Sequence, residues 1–235
     1  MNIFDALIWA VILLSVLYAL YRGFIHSLLS QAALLLAMAL ALPASAGLAA
    51  QLQGDTSLTS LLVTYTDAVA RVGDYDLAHT PVTGIGDDTI DQVLENVGLP
   101  SALSALLQKN LLYGRNIESD RTINDYVQGA VVSSAITILC YLACLALIYF
   151  ALSLLLSLVS HVFHFPLLKW LDWAGAGVFG VVRGLTLTCL IYLLMPLLST
   201  VIPLEAFNRL LSASALSPAF LSDRLFAAIL AGRLI

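Results

Sequence analysis

Charge is scarce in this chain: 11% of its residues are Asp, Glu, Lys or Arg, where a soluble domain carries about 25%. Hydrophobic residues make up 60%. A soluble globular domain is therefore excluded. Cysteine is rarer still. Cys140, Cys144 and Cys189 all lie inside apolar stretches, where they read as small packing residues. The polar part of the chain, which could sit in an oxidising compartment, has no cysteine, so a disulfide framework is not expected. The sequence also lacks a G-x-S-x-G elbow, a P-loop, an H-E-x-x-H pair and a C-x-x-C pair. Hydrolase, nucleotide-binding and zinc readings have no motif behind them. His161 and His164 are spaced to share a metal, but no carboxylate or cysteine lies near them in sequence. Gly84-Ile-Gly86 has no strand-to-helix unit after it and reads as a turn. No catalytic residue, cofactor or metal is expected, the chain is not expected to be an enzyme, and nucleic acid is not expected as a partner.

What is present is long apolar runs. Four stretches, roughly 6–21, 25–50, 130–159 and 173–202, approach or exceed the ~20 residues needed to cross a hydrocarbon core. The fold expected is all-α and polytopic. Only Arg22-Gly23-Phe24 separates the first two runs, so they should form a tight helical hairpin. The expected organisation is a transmembrane hairpin over 1–50, an acidic insert over 51–128, a second transmembrane pair over 129–202 and an amphipathic interfacial tail over 203–235. Arg22, the run 25–42 and Pro43-Ala-Ser-Ala46 imitate a signal peptide. The whole apolar span upstream argues against cleavage there.

The insert differs sharply from its surroundings, with eleven acidic against four basic residues and a net charge of −7. Its sequence predicts a short helix from Asp87 or Asp88 to Asn96, stopped by Gly98, and a second from Ser101 to about Leu112. Leu94, Val97, Leu103, Leu106, Leu107, Leu111 and Leu112 offer an apolar face to the membrane surface or to the spans. Residues 72–86 read as loop. Thr122-Ile-Asn-Asp125 resembles a capping box and should open a third long helix running to about Phe163. Orientation follows from the short loops, because lysine and arginine resist translocation. Arg22 with His26, and Lys169, mark two cytoplasmic loops, which puts both termini and the insert on the outer side. Arg209, Arg224 and Arg233 in the tail outnumber Glu205 and Asp223 and pull against that placement of the C-terminus.

Chemistry concentrates at the ends of the first and fourth spans. Arg183 lies about 16 Å along a helix from Asp172 at 1.5 Å per residue, and a charge at that depth costs at least ~2.5–3.5 kcal/mol. It should face other helices or water. Asp5 is the acid nearest in height, with backbone carbonyls, Ser15 or the hydroxyls of the third span as other partners. Arg183 is read as a structural clamp of the bundle or as a pore or relay residue. Ala176, Gly180 and Gly184 recur every four positions and form a smooth stripe where a second backbone can approach. An Arg22–Asp172 bridge would tie the first span to the fourth, unless each charge is solvated among headgroups.

Asp5, Ser15 and Arg22-Gly23-Phe24, taken with Asp172, a small residue at Ala176, then Gly180 and Arg183-Gly184, resemble the colicin V production (CvpA) family of bacterial inner-membrane proteins. The resemblance covers about 1–50 and 122–199. Ala176 stands where the family pattern usually has glycine, with Gly175 and Gly177 beside it. The resemblance implies a four-span inner-membrane protein needed for production or export of a peptide toxin, with wider roles in envelope physiology and no established enzymatic activity. The function expected is an accessory or scaffold protein whose partners are the lipid bilayer and other membrane proteins, or a second copy seated on the Ala176/Gly180/Gly184 stripe. The alternative is a small oligomeric transporter or channel using Arg183.

Overall fold

The computed structural model describes residues 2–54, 60, 72, 75–97, 101–116, 120–160, 169–195, 214 and 216–220. Among the described residues every named element is a helix: α1 Ile3–Arg22, α2 Phe24–Gln53, α3 Tyr75–Ala78, α4 Asp87–Val97, α5 Ser101–Asn116, α6 Ile123–Ser160, α7 Lys169–Tyr192 and α8 Ser217–Phe220. Four of them, α1, α2, α6 and α7, are long and apolar enough to cross a membrane. Their outer faces carry large apolar side chains that water would not tolerate, among them Leu14 at 67% exposed and Leu147 at 70%. The chain is a multi-pass membrane protein.

The helix ends follow from local chemistry. Asn2 accepts from the Ile3 N–H at 2.7 Å, and the Asp5 carboxylate accepts from the Asn2 N–H at 3.3 Å. The Asn2 side chain also accepts from the Asp5 N–H, and this bond with the Asp5–Asn2 one makes a capping box that satisfies donors with no partner inside the helix. Gly23 ends α1 at φ +84°, a region L side chains rarely adopt, so the chain turns into α2 within one residue. Thr122 opens α6 as its sequence predicts. Its N–H donates to Asp125 Oδ2 at 2.9 Å, and Thr122 Oγ1 accepts from the Asp125 N–H at 3.3 Å. At 38 residues, α6 is about 57 Å long.

The fourth span differs from its expected bounds. The described helix closes at Tyr192 rather than continuing to 202, and Leu193 and Leu194 turn, with the Leu194 N–H donating to Ile191 O at 3.1 Å. The sequence supplies a reason: proline at 196 has no N–H to give the carbonyl four residues earlier. His161, His164, the end of the third helix beyond 160 and most of the tail fall outside the described residues.

Two compact units divide the chain: Met1–Ala46, Cys140–Met195 and Pro203–Ser222 form one, and Gly47–Leu139, Pro196–Ile202 and Asp223–Ile235 the other. The second holds the insert helices and the start of α6. Ile90, Val93, Val97, Leu107 and Leu111 pack with Ile123, Val127 and Ala130 into a core of the insert's own. Residues 72–86 are more than the loop their Gly, Pro and Asp content predicts. Tyr75–Ala78 is a helical turn, and Val72, Ala78, Val82 and Ile85 are buried in that same core. An isolated bridge between Pro81 and Thr122, with the Val82 N–H donating to Arg121 O at 3.1 Å, fastens this segment beside the start of α6. Gln53 Nε2 donates to Ser133 Oγ at 2.8 Å and ties the end of α2 to α6.

Candidate functional site

Within the first unit, α1 lies along α7 so closely that Gly180 and Gly184 have no room for a side chain. A Cβ placed on Gly180 would meet the Val16 Cα and Ala19 Cβ, each at 2.8 Å, and one on Gly184 would meet the Ile12 Cα at 2.8 Å. Ala176 is fully buried. Ser15, also buried, donates from Oγ to Gly180 O at 2.9 Å. The small-residue stripe thus forms the close approach its spacing predicts, and its occupant is α1 of the same chain.

Asp172 and Arg22 do not pair. The Phe24 N–H, the first donor of α2 and without a helical acceptor, donates to Asp172 Oδ1 at 2.8 Å. Oδ2 of the same carboxylate lies 3.2 Å from where a Cβ on Gly23 would stand. Asp172 is therefore the cap of the turn between the first two spans, and the Arg22 guanidinium lies over the Tyr18 ring, 5.7 Å from its centroid. Phe24 also meets Phe179 edge to face at 5.6 Å. Around Gly23 the sequence brings together Arg22, Gly23 and Asp172 as expected, by a backbone hydrogen bond in place of an ion pair.

Asp5 is not the partner of Arg183. Its buried carboxylate accepts from Ser214 Oγ at 2.6 Å and from the Leu216 N–H at 3.3 Å. Ser214 Oγ in turn accepts from the Ser217 N–H at 3.1 Å, and Ser217 Oγ lies 2.8 Å from the Tyr192 hydroxyl. A short piece of the tail is thereby clasped between the start of α1 and the end of α7. Phe4, Ile8, Tyr192 and Met195 form its apolar floor, with Leu216 and Phe220 packed against them.

Arg183 is held by two phenols. Its Nη2 donates to Tyr149 Oη at 2.8 Å, and its guanidinium carbon lies 5.1 Å from the centroid of the Tyr18 ring. Tyr149 Oη is 3.2 Å from Ser30 Oγ, so the anchorage reaches α2 as well as α6. One turn along, Gln31 Nε2 donates to Thr186 Oγ1 at 3.2 Å, whose own proton goes to Val182 O at 2.9 Å. Arg183 also borders a groove of about 290 Å³ shared with Val11, Leu14, Ser15, Tyr18 and Leu187. Tyr18, Ser30, Gln31 and Tyr149 were not among the residues singled out from sequence. Their signal was available: Ser30-Gln31 interrupts an apolar run, and polar groups inside a span point into the bundle.

Among the described residues no group of three His, Cys, Asp or Glu side chains is placed to hold a metal ion. No curated protein and no solved structure matches the chain. Residues 119–224 match the family model described as colicin V production protein. The match takes in α6, α7 and the clasped tail, with Asp172, Ala176, Gly180, Arg183 and Gly184, while Asp5, Ser15, Arg22 and Gly23 precede it. Over residues 119–224, a little under half of its length, the chain is similar to the colicin V production protein family.

Proposed function

We propose that this protein is an accessory scaffold of the bacterial inner membrane that supports production or export of a colicin V-type peptide toxin and helps maintain the envelope. It works through helix contacts and the acidic insert, without catalysing a reaction. Both termini and the insert are on the outer side, and its partners are membrane proteins. The observation that carries this reading is the anchorage of Arg183. A guanidinium tied to the phenols of α1 and α6, beside a seam with no room for a side chain at Gly180 and Gly184, suits a rigid bundle that presents a surface. The groove beside Arg183 is what favours the alternative, an oligomeric conduit.

The test is complementation in a toxin-producing strain that lacks its own family member. Toxin released into the medium is read as the zone of growth inhibition. The wild-type chain should restore release and Gly180→Leu should not. Failure of a well-accumulated wild-type chain to restore it overturns the toxin role. For the conduit, liposome flux is measured beside membrane abundance for Arg183→Lys and Arg183→Leu. Lysine should keep part of the abundance, leucine should lower abundance and function together, and normal abundance with altered flux would overturn the clamp.

A further inference from the structure

We infer that the groove beside Arg183 seats a transmembrane helix of a different protein, one that carries an Asp or Glu near the middle of its span. The inference deepens the scaffold reading above and rests on it for the idea of a membrane partner. Its own support is a charge left unbalanced at depth. Arg183 lies eleven residues beyond Asp172, about 16 Å along α7, where an unpaired cation is costly. A guanidinium has five N–H donors. Among the described residues Tyr149 is the one hydrogen-bond acceptor it reaches, and no carboxylate lies within ion-pair distance. A phenol and an aromatic face are neutral, so the positive charge is eased but not compensated.

The groove makes that charge reachable from the lipid. Val11, Leu14 and Leu187 line it with apolar surface, and Leu14 is 67% exposed. Ser15 donates to Gly180 O and Tyr18 stacks on the guanidinium, so both polar members of the wall are engaged within the chain. A ligand there meets hydrocarbon on its sides and one cation at its centre. An apolar helix with a single carboxylate has that chemistry, and charge-assisted pairs of this kind are among the stronger polar contacts.

A second copy of this chain does not supply it. The acids of the four apolar helices are Asp5, Asp125 and Asp172, each in the first turn of its helix, and α2 has none. None stands at mid-depth in a partner copy. Lipid phosphate is held at the headgroup level and would have to be drawn well into the hydrocarbon to reach Arg183.

The test uses the full chain in phosphatidylcholine vesicles with synthetic leucine-rich transmembrane helices that carry Glu, Gln or Leu at the central position. Association is read by energy transfer between labels. The Glu helix should bind about tenfold tighter than the Leu helix, with Gln between. Arg183→Gln should abolish that preference and Arg183→Lys keep part of it. Leu14→Trp leaves the charge in place and fills the groove, so it should weaken binding of the Glu helix even if Arg183→Gln fails to fold. Equal binding of Glu and Leu helices overturns the proposal, as does a Glu preference that survives Leu14→Trp. Repeating the titration with phosphatidylglycerol separates the lipid source: loss of the Glu preference there means that anionic lipid holds the groove, which also overturns it. A Glu preference in a chain that does not restore toxin release leaves the groove assigned and removes the toxin role alone.

Discussion

Two glycines three residues apart on α7 make opposite predictions. Gly180→Ala puts a methyl 2.8 Å from the Val16 Cα, a backbone atom that cannot yield unless α1 moves, and overpacking of this kind costs about 1–3 kcal/mol. A Cβ on Gly177 meets only Leu20 Cδ2 at 3.8 Å, an ordinary contact. Membrane abundance should therefore fall for Gly180→Ala and stay near wild type for Gly177→Ala; equal abundance of the two would place the seam elsewhere. Asp172 gives a second pair. Asp172→Asn keeps an oxygen for the Phe24 N–H, whereas Asp172→Ala leaves that part-buried donor unpaired at a cost of about 1–3 kcal/mol. Thermal aggregation in detergent should begin earlier for alanine than for asparagine, and the reverse order would show that the charge matters more than the cap. The stripe and the depth of Arg183 were legible because spacing and hydropathy fix them. The partners were not. Residue counting puts Arg22 and Asp172 at one level, but it does not reveal that the orphaned N–H of Phe24 competes for the same carboxylate. Nor does it show that a phenol on another span reaches the arginine before any acid does.

At the scale of elements, caps and breakers decided what could be read. Thr122 starts α6 as its chemistry predicts, α4 begins at Asp87 with that carboxylate paired to Arg115 at 2.7 Å in place of a cap bond, and Pro196 suits a helix end that apolar composition alone hides. The insert's interior was less legible. Its leucines were expected on the membrane surface or on the spans; they pack on the start of α6 and also on residues of 72–86, whose glycine and proline content conceals four buried apolar side chains. Leu107 is fully buried there, and Leu107→Ala should destabilise the insert by about 2–5 kcal/mol. Limited proteolysis should then cut within the insert while leaving the apolar helices intact; protection equal to wild type would mean that the leucines are held by lipid. The clasp on Asp5 was invisible for a different reason. Ser214 and Asp5 are separated by 209 positions, and nothing local couples a serine in an alternating tail to the first turn of α1. Ser214→Ala removes the hydroxyl that donates to the buried Asp5 carboxylate, so the tail should become reachable by a protease that spares it in the wild type.

The whole molecule carries its charge asymmetrically: the insert holds −7 of a total −5, so the remaining segments are slightly basic. Arg22 and Lys169 lie beside short connections, where positive charge opposes translocation most strongly, and an even number of spans returns the chain to the side on which it began. Those two facts together give the expected topology. Alkaline phosphatase, which is active only outside the cytoplasm, should be active when fused after Thr80 and inactive when fused after Phe165. A fusion after Ile235 should be active too, and it is the sharpest of the three. Arg209, Arg224 and Arg233 favour the opposite side, whereas the hold of Asp5 on Ser214 and Leu216 keeps the tail beside the start of α1. If the clasp governs, a cytoplasmic fluorescent protein at Ile235 stays dark in wild type. Bright fluorescence there, with phosphatase activity retained after Thr80, would mean that the arginines prevail and the chain crosses the membrane once more after α7.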